Sequence, residues 1–521
     1  ESNISNKSYK TDMSKNIDSS TGINRNSNTE DISNVNNENN EEQKLLKSDS
    51  PSQKNSIRDN EEASELLEQI GYGGKQWLVI VISVLATFIE GTNFTLMSAI
   101  IIPLKEYFDA STFETLVVSS IIFVGVGIGS ILVGFLTKAH GRVSVIRFNL
   151  SLLVLFLFFS IFIKNIFVFT LFRLVIGFSL GVLLPITMNI LCEYLPTNYR
   201  SFTLNFVWGG FGGGQVLNLL LLYFLMPNYE AEKLDLVFTA GAIIQTIIAI
   251  FIFFFLEDSP RNLINEGFVE KGLSVLEKMF REKEIQLSDE QKEKIVKMIQ
   301  SGGNKSLEHS FSAIFSEKYL WMTVSMTIIW VTSSCIFYGP ILIYSPTMKQ
   351  LGILKSADII LSNIVAAVIS VVIITVASVL AEVKSIGLKR VSVVCYILGI
   401  ALTISMLIWM EHFDYFMASY LGVTGAGFLN ATTIANTAYP TKIRDFALGY
   451  LYATLRVGGF VSQFLFLGFF EITLMLPYYM MMVMTILIVG ILYSSKYETT
   501  GLPLDSGLDR YDEGGEEEKH I

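Results

Sequence analysis

Twelve runs of predominantly apolar residues, each about twenty long, divide the chain between positions 77 and 493. A helix rises about 1.5 Å per residue, so a hydrocarbon layer of about 30 Å takes on the order of 20 residues to cross. The expected spans are 77–103, 116–136, 144–163, 166–191, 202–226 and 236–256, then 320–344, 359–380, 391–410, 416–438, 447–470 and 472–493. The fold expected is an all-α integral membrane protein of twelve transmembrane helices in two pseudo-symmetric six-helix bundles. Across 521 residues, 51% hydrophobic against 17% charged agrees with a chain dissolved in lipid.

The charge is segregated. Acidic residues concentrate in 1–66, 257–318 and 496–521, so the formal charge of -10 belongs mostly to the tails. No basic face is visible, and nucleic acid is not an expected partner. Residues 1–66, rich in Asn, Ser, Glu and Lys, are expected to be a disordered cytoplasmic tail. They lack the apolar run of a signal peptide, so no cleaved targeting segment is expected. Further expectations are a first six-helix bundle over 67–256, a cytoplasmic helical loop over 257–318, a second bundle over 319–495 and an acidic cytoplasmic tail over 496–521. Charged helical patterns within that loop lie near 270–281 and 289–300.

Short loops carrying Lys138, Arg142 and Arg147, then Arg200, then Lys384, Lys389 and Arg390, then Lys442 and Arg444, follow the even-numbered spans. The inward side of a membrane protein keeps the excess of Lys and Arg, which puts these loops, the central loop and both termini in the cytoplasm. Whether the membrane is the plasma membrane or that of an internal vesicle or organelle stays open.

Cys192, Cys335 and Cys395 lie inside apolar runs and read as small buried hydrophobes. The four histidines are scattered without ligand spacing, so no metal site is expected. Gly209 to Gly214 lies within a span rather than after a strand, and no nucleophile stands beside a base. Enzyme chemistry and cofactors are therefore not expected. Gly125, Gly127, Gly129 and Gly134 of the second span read as small residues that let helices approach closely.

An internal repeat is legible. The segment from Leu195 to Leu204, LPTNYRSFTL, reappears as YPTKIRDFAL from Tyr439 to Leu448, each time after an even-numbered span and opening the next. Two parallel six-helix repeats of this kind place a solute site near the membrane midplane, between the halves.

The motifs resemble the major facilitator superfamily over essentially all of positions 61–504. Gly134-Phe-Leu-Thr-Lys138-Ala-His-Gly141-Arg142 is similar to the family's G-x-L-x-D-x-x-G-R gate signature, with Lys138 at the usual Asp position. Its second-half counterpart near Glu382, Gly387, Lys389 and Arg390 is stretched by two residues. Arg173-x-x-x-Gly177, Glu193-x-x-Pro-x-x-x-Arg200, Glu257-Asp-Ser-Pro-Arg261 and Glu498-Thr-Thr-Gly-Leu-Pro-Leu504 follow in family order. The run from Glu61 to Trp77, Glu90 to Ser98 and Phe337-Tyr338-Gly339 are most similar to the synaptic-vesicle-protein-related and organic ion transporter branch, although Asn93 departs from the acidic residue expected there. The resemblance implies secondary active transport of a small organic solute by alternating access, an organic anion or mixed-charge metabolite before a sugar, phosphate or organic cation. A non-transporting receptor or trafficking protein of the same fold is the alternative. A monomer in the lipid bilayer is expected.

A carboxylate in the bilayer interior is costly unless paired or neutral, which marks Glu90 as a proton carrier, a binder of a cationic solute, or a structural carboxylate neutralised by a neighbouring helix. Arg456, inside the eleventh span, must meet a carboxylate, helix carbonyls or an anionic solute. Arg173 is expected to pair with Glu90 or to shape the outer pathway. Asn93, Asn189, Trp208, Gln215, Tyr338, Asn430 and Asn436 are the remaining candidates for solute contact, with a proton as candidate coupling ion. Lys138, Gly141, Arg142, Glu193, Arg200, Glu257, Arg261, Glu382 and Arg444 are the expected cytoplasmic gate.

Overall fold

The computed structural model describes residues 71–195, 200–303, 314–352, 356–381, 383, 386–439 and 441–495. Both expected tails and Glu382 lie outside the described residues, as do the side chains of Arg200, Asn436 and Arg444. The described residues form helices and connections, with no strand among them.

The twelve spans appear as Gly74–Ala99, Thr112–His140, Arg142–Ser160, Ile166–Tyr194, Phe202–Leu225, Leu234–Phe255, Glu317–Leu351, Ser356–Ala381, Leu388–Ile408, Phe413–Ala438, Thr441–Ile472 and Leu476–Ser494. Eleven are long and apolar enough to cross a membrane by length and composition. The other is the tenth, Phe413–Ala438, whose Gly, Thr and Asn residues lower its hydropathy.

Local chemistry sets the ends and breaks. Ser111 and Glu114 cap the second span reciprocally, and Asn165 accepts from Phe167 and Val168 at the start of the fourth. The first span, expected to run unbroken to Pro103, breaks at Ile100 and continues as the short helix Ile101–Tyr107. Pro103 lacks an N–H and crowds the carbonyl of Ala99, so it is accommodated only in the first turn of a new helix. The fifth span breaks at Trp208, just before its glycine-rich run.

The repeat is written in the backbone. Gly141 turns the second span into the third at φ +76°, and Gly387 turns the eighth into the ninth at φ +80°, a left-handed region that a side chain would disfavour.

Each half has its own apolar core. Across the halves, the second span packs on the eleventh and the fifth on the eighth. The second and fourth spans touch backbone to backbone: a Cβ on Gly125 would lie 2.2 Å from the Leu174 carbonyl oxygen, and one on Gly129 would lie 2.3 Å from that of Phe178. Gly127 and Gly134, read from the sequence as equivalent, are not; a Cβ there meets only Arg456 Cβ at 3.9 Å or open space.

Between the halves lie the helices Pro260–Asn265, Val269–Arg281 and Asp289–Gly303, whose Leu263, Ile264, Leu276, Phe280 and Ile295 join the first half's core. This insert clasps the start of the first span. The Gly74 N–H donates to Glu282 Oε2 at 2.7 Å, Lys283 Nζ donates to the Tyr72 carbonyl at 3.0 Å, and Lys75 pairs with Glu257 at 2.6 Å. At the opposite end, Tyr107 donates to Asp235, and Lys164 donates to both Tyr107 and Asp235, the latter at 2.9 Å.

Candidate functional site

A cavity of about 400 Å³ lies between the halves, walled by the first and fifth spans on one side and the seventh, eighth, tenth and eleventh on the other. Its wall is mainly apolar and aromatic, with Phe88, Phe211 and Phe337 prominent. Four residues expected from the sequence line it: Trp208, Gln215, Tyr338 and Arg456. Trp208 stands at the break in the fifth span, and Gln215 lies two turns further on.

Arg456 enters from the eleventh span. Its Nη2 donates to Oε1 of Glu90 on the first span at 2.6 Å, and both residues are buried, 4% and 1% exposed. Phe94, one turn beyond Glu90, places its ring 5.0 Å under the guanidinium and packs in turn on Tyr338 and Phe123. The cation–π contact and the carboxylate together hold a charge that lipid would reject. Glu90 is not on the cavity wall. Of the pair, only Arg456 is on that wall. Glu90 Oε2, Arg456 Nε and the hydroxyl of Ser334, which also lines the cavity, have no hydrogen-bond partner among the described residues.

Arg173 does not reach Glu90. Its Nη2 donates to the Asn93 backbone carbonyl at 2.7 Å and its Nη1 to Asn93 Oδ1 at 3.4 Å. The Asn93 amide donates to Gln245 of the sixth span at 2.6 Å and to the Ile89 carbonyl at 2.9 Å. The expectation of a Glu90–Arg173 pair is therefore replaced by a neutral amide cradle around Arg173, because Asn93, a turn along the helix, intercepts it. Asn189 is exposed and absent from the cavity wall. Asn430 is fully buried away from it, its amide without a partner among the described residues.

At the insert-bearing end, Arg142 Nη1 donates to both oxygens of Glu193, at 2.8 and 2.9 Å, and Ser259 donates to Glu193 as well. This latch joins the start of the third span, the end of the fourth and the start of the insert, all within one half. Gly141 supplies the turn that presents Arg142. Lys138 is exposed and pairs with no described residue, while Glu257 is taken by Lys75 and Arg261 is half-buried on the insert's first helix. Across the halves near this end, Thr433 of the tenth span donates to Asn205 Oδ1 at 3.1 Å.

Gln245, Phe94, Ser334 and Asn205 were not singled out from the sequence. Gln245 had a signal, as a lone amide in an apolar run. Phe94 had none, since one aromatic among many carries no mark of what it faces.

A model of the Major Facilitator Superfamily matches residues 83–463, most of the chain. The chain belongs to the major facilitator superfamily. Among curated members it is 24% identical over 293 residues to the 4-hydroxybenzoate transporter PcaK of Acinetobacter baylyi, covering 55% of this chain and 60% of that protein. It is 22% identical over 279 residues to the synaptic vesicle 2-related protein of Rattus norvegicus, covering 54% of this chain and 48% of that one. The chain thus spans about half the length of these superfamily relatives, and the second of them agrees with the branch that the motifs resemble. Among solved superfamily structures, the proton:xylose symporter XylE bound to 6-bromo-6-deoxy-D-glucose aligns with a TM-score of 0.67 over 82% of this chain and 97% of that one, at 16% identity. At that identity the likeness is one of fold: the twelve-helix, multi-pass architecture of the superfamily.

Proposed function

We propose that this chain is a secondary active transporter of a small organic anion, an aromatic carboxylate foremost, working by alternating access with Glu90 as proton carrier. One observation carries the reading: a guanidinium on the wall of a 400 Å³, largely aromatic cavity, neutralised by a single buried carboxylate that is not itself on the wall. The cavity's size and aromatic lining suit one substituted ring, within the volume range usual for small-ligand sites. A carboxylate on that ring would meet Arg456, and a proton on Glu90 would release Arg456 to receive it. The relative that bears the name of a 4-hydroxybenzoate transporter supports the same class. An open cavity weighs against a non-transporting receptor, in which that space would be filled. The basic loops support placing the insert, the Arg142–Glu193 latch and both termini in the cytoplasm.

Reconstituted in liposomes under an inward proton gradient, the protein is expected to take up labelled 4-hydroxybenzoate above protein-free vesicles, and Glu90→Gln is expected to lose the response to the gradient. Uptake of xylose, phosphate or an organic cation in its place would sink the anion reading.

A further inference from the structure

Three charged side chains are buried among the described residues: Glu90, Arg173 and Arg456. Arg173 is not on the cavity wall and is held by Asn93, so its charge is common to every state of the solute site. What remains at the site is one carboxylate and one guanidinium, summing to zero when both are ionised. Facing Glu90 are Arg456 and Tyr452 of the eleventh span and Tyr338 of the seventh, with Arg173 of the fourth reaching only the neighbouring Asn93. The second, fifth and sixth spans contribute no buried charged side chain among the described residues.

We propose that this site moves one proton together with one monoanionic solute and that the cycle carries no net charge across the membrane. This rests on the anion reading above and adds its stoichiometry. The proton adds to a Glu90 oxygen, and the 2.6 Å bond from Arg456 Nη2 opens. The solute carboxylate then accepts from the freed guanidinium, and the unpartnered Ser334 hydroxyl is a further donor on the same cavity wall.

The empty site, Glu90 ionised on Arg456, sums to zero. The site holding proton and monoanion also sums to zero. Proton alone leaves Arg456 uncompensated, and solute alone sets two carboxylates on one guanidinium. An uncompensated buried ion costs several kcal/mol, so only the two balanced states can carry the site from one side to the other. The same count excludes neutral and zwitterionic solutes as proton-coupled cargo, because each leaves the protonated site with a net positive charge.

The test uses the wild-type protein in liposomes with two aromatic monoanions as probes, 4-hydroxybenzoate and gallate, and protein-free vesicles as the reference. A pH step is imposed at zero potential, and separately a potassium diffusion potential at equal pH. One proton per solute with no net charge gives about tenfold protein-dependent accumulation per pH unit and no response to 100 mV, interior negative. One net positive charge per cycle would add about fiftyfold at 100 mV. Uptake that follows the potential overturns the stoichiometry and leaves the anion reading standing. Protein-dependent uptake of neither probe, by folded protein, overturns the reading itself and the stoichiometry with it.

Discussion

Glu90 and Arg456, 366 positions apart in the chain, meet at 2.6 Å where the two halves of the molecule face each other. No other ion pair among the described residues joins two side chains this deeply buried. The pair is a contact between the halves, and it is held in a medium that punishes either partner left alone.

Removing one partner should therefore cost more than removing both. Glu90→Leu or Arg456→Met alone is expected to lower unfolding stability in detergent by about 3–5 kcal/mol, because each strands a buried charge. The double substitution is expected to recover most of that loss. Equal additive losses in a denaturation series would show that the pair is solvated rather than buried.

The glycines of the second span should sort by position. Gly125→Ala and Gly129→Ala push a methyl into a carbonyl at 2.2–2.3 Å and are expected to separate the second and fourth spans, at a cost of about 1–3 kcal/mol. Gly134→Ala meets nothing within 4 Å and is expected to be neutral or slightly stabilising, since alanine is the better helix former. Thermal unfolding of the three variants side by side checks the ranking.

Asn93 holds a cation with an amide where a carboxylate would do better. Asn93→Asp is expected to raise stability by about 1–2 kcal/mol by giving Arg173 a charged acceptor. The Gln245 amide, turned over, supplies a donor to the aspartate, whose oxygen must turn away from the Ile89 carbonyl that the Asn93 amide now reaches at 2.9 Å. A fall in melting temperature would mean that Arg173 is already compensated by other means.

At the end opposite the insert, burial and the acceptor Asp235 push the Tyr107 hydroxyl above its ordinary value, and the bonds to Tyr107 and Asp235 raise the Lys164 ammonium likewise. A folded-state value above the unfolded one contributes stability that is whole below about pH 10 and is lost as pH rises through the folded value. Unfolding midpoints measured between pH 8 and 11 are expected to fall at the alkaline end, and Tyr107→Phe to flatten that fall.

Much of this architecture was legible because lipid makes sequence explicit: apolar runs of fixed length are spans, and a lone Glu90 or Arg456 inside one stands out. Pairing was not legible. Arg173 was the partner expected for Glu90, and Arg456 was left to any carboxylate, carbonyl or anion, until the fold set Asn93 in front of one and Phe94 beneath the other. Rotation about the helix axis was equally hidden where a span is apolar all round, which is why Asn189 proved to face away from the cavity while Trp208 and Gln215 line it. The glycines were half-readable: Gly125 and Gly129 share a face four residues apart, as do Gly177 and Gly181 opposite them, and Gly127 and Gly134 break that period. Arg142 and Glu193 were both in the expected gate, with Glu193 read as a latch with Arg200; its pairing with Arg142 and Ser259 emerged only from proximity.

The weak hydropathy of Phe413–Ala438 bears on how the molecule comes to exist. Its Thr, Gly and Asn residues make lipid a poor host for it as a solitary helix. It packs chiefly on the eighth and ninth spans and then on the seventh, all of which precede it in the chain. Assembly of the second half thus has a direction: two strongly apolar helices must already be seated before the polar one can leave the insertion machinery. Mutations that loosen Ser356–Ala381 or Leu388–Ile408 should then surface as failed biogenesis of the helix that follows them.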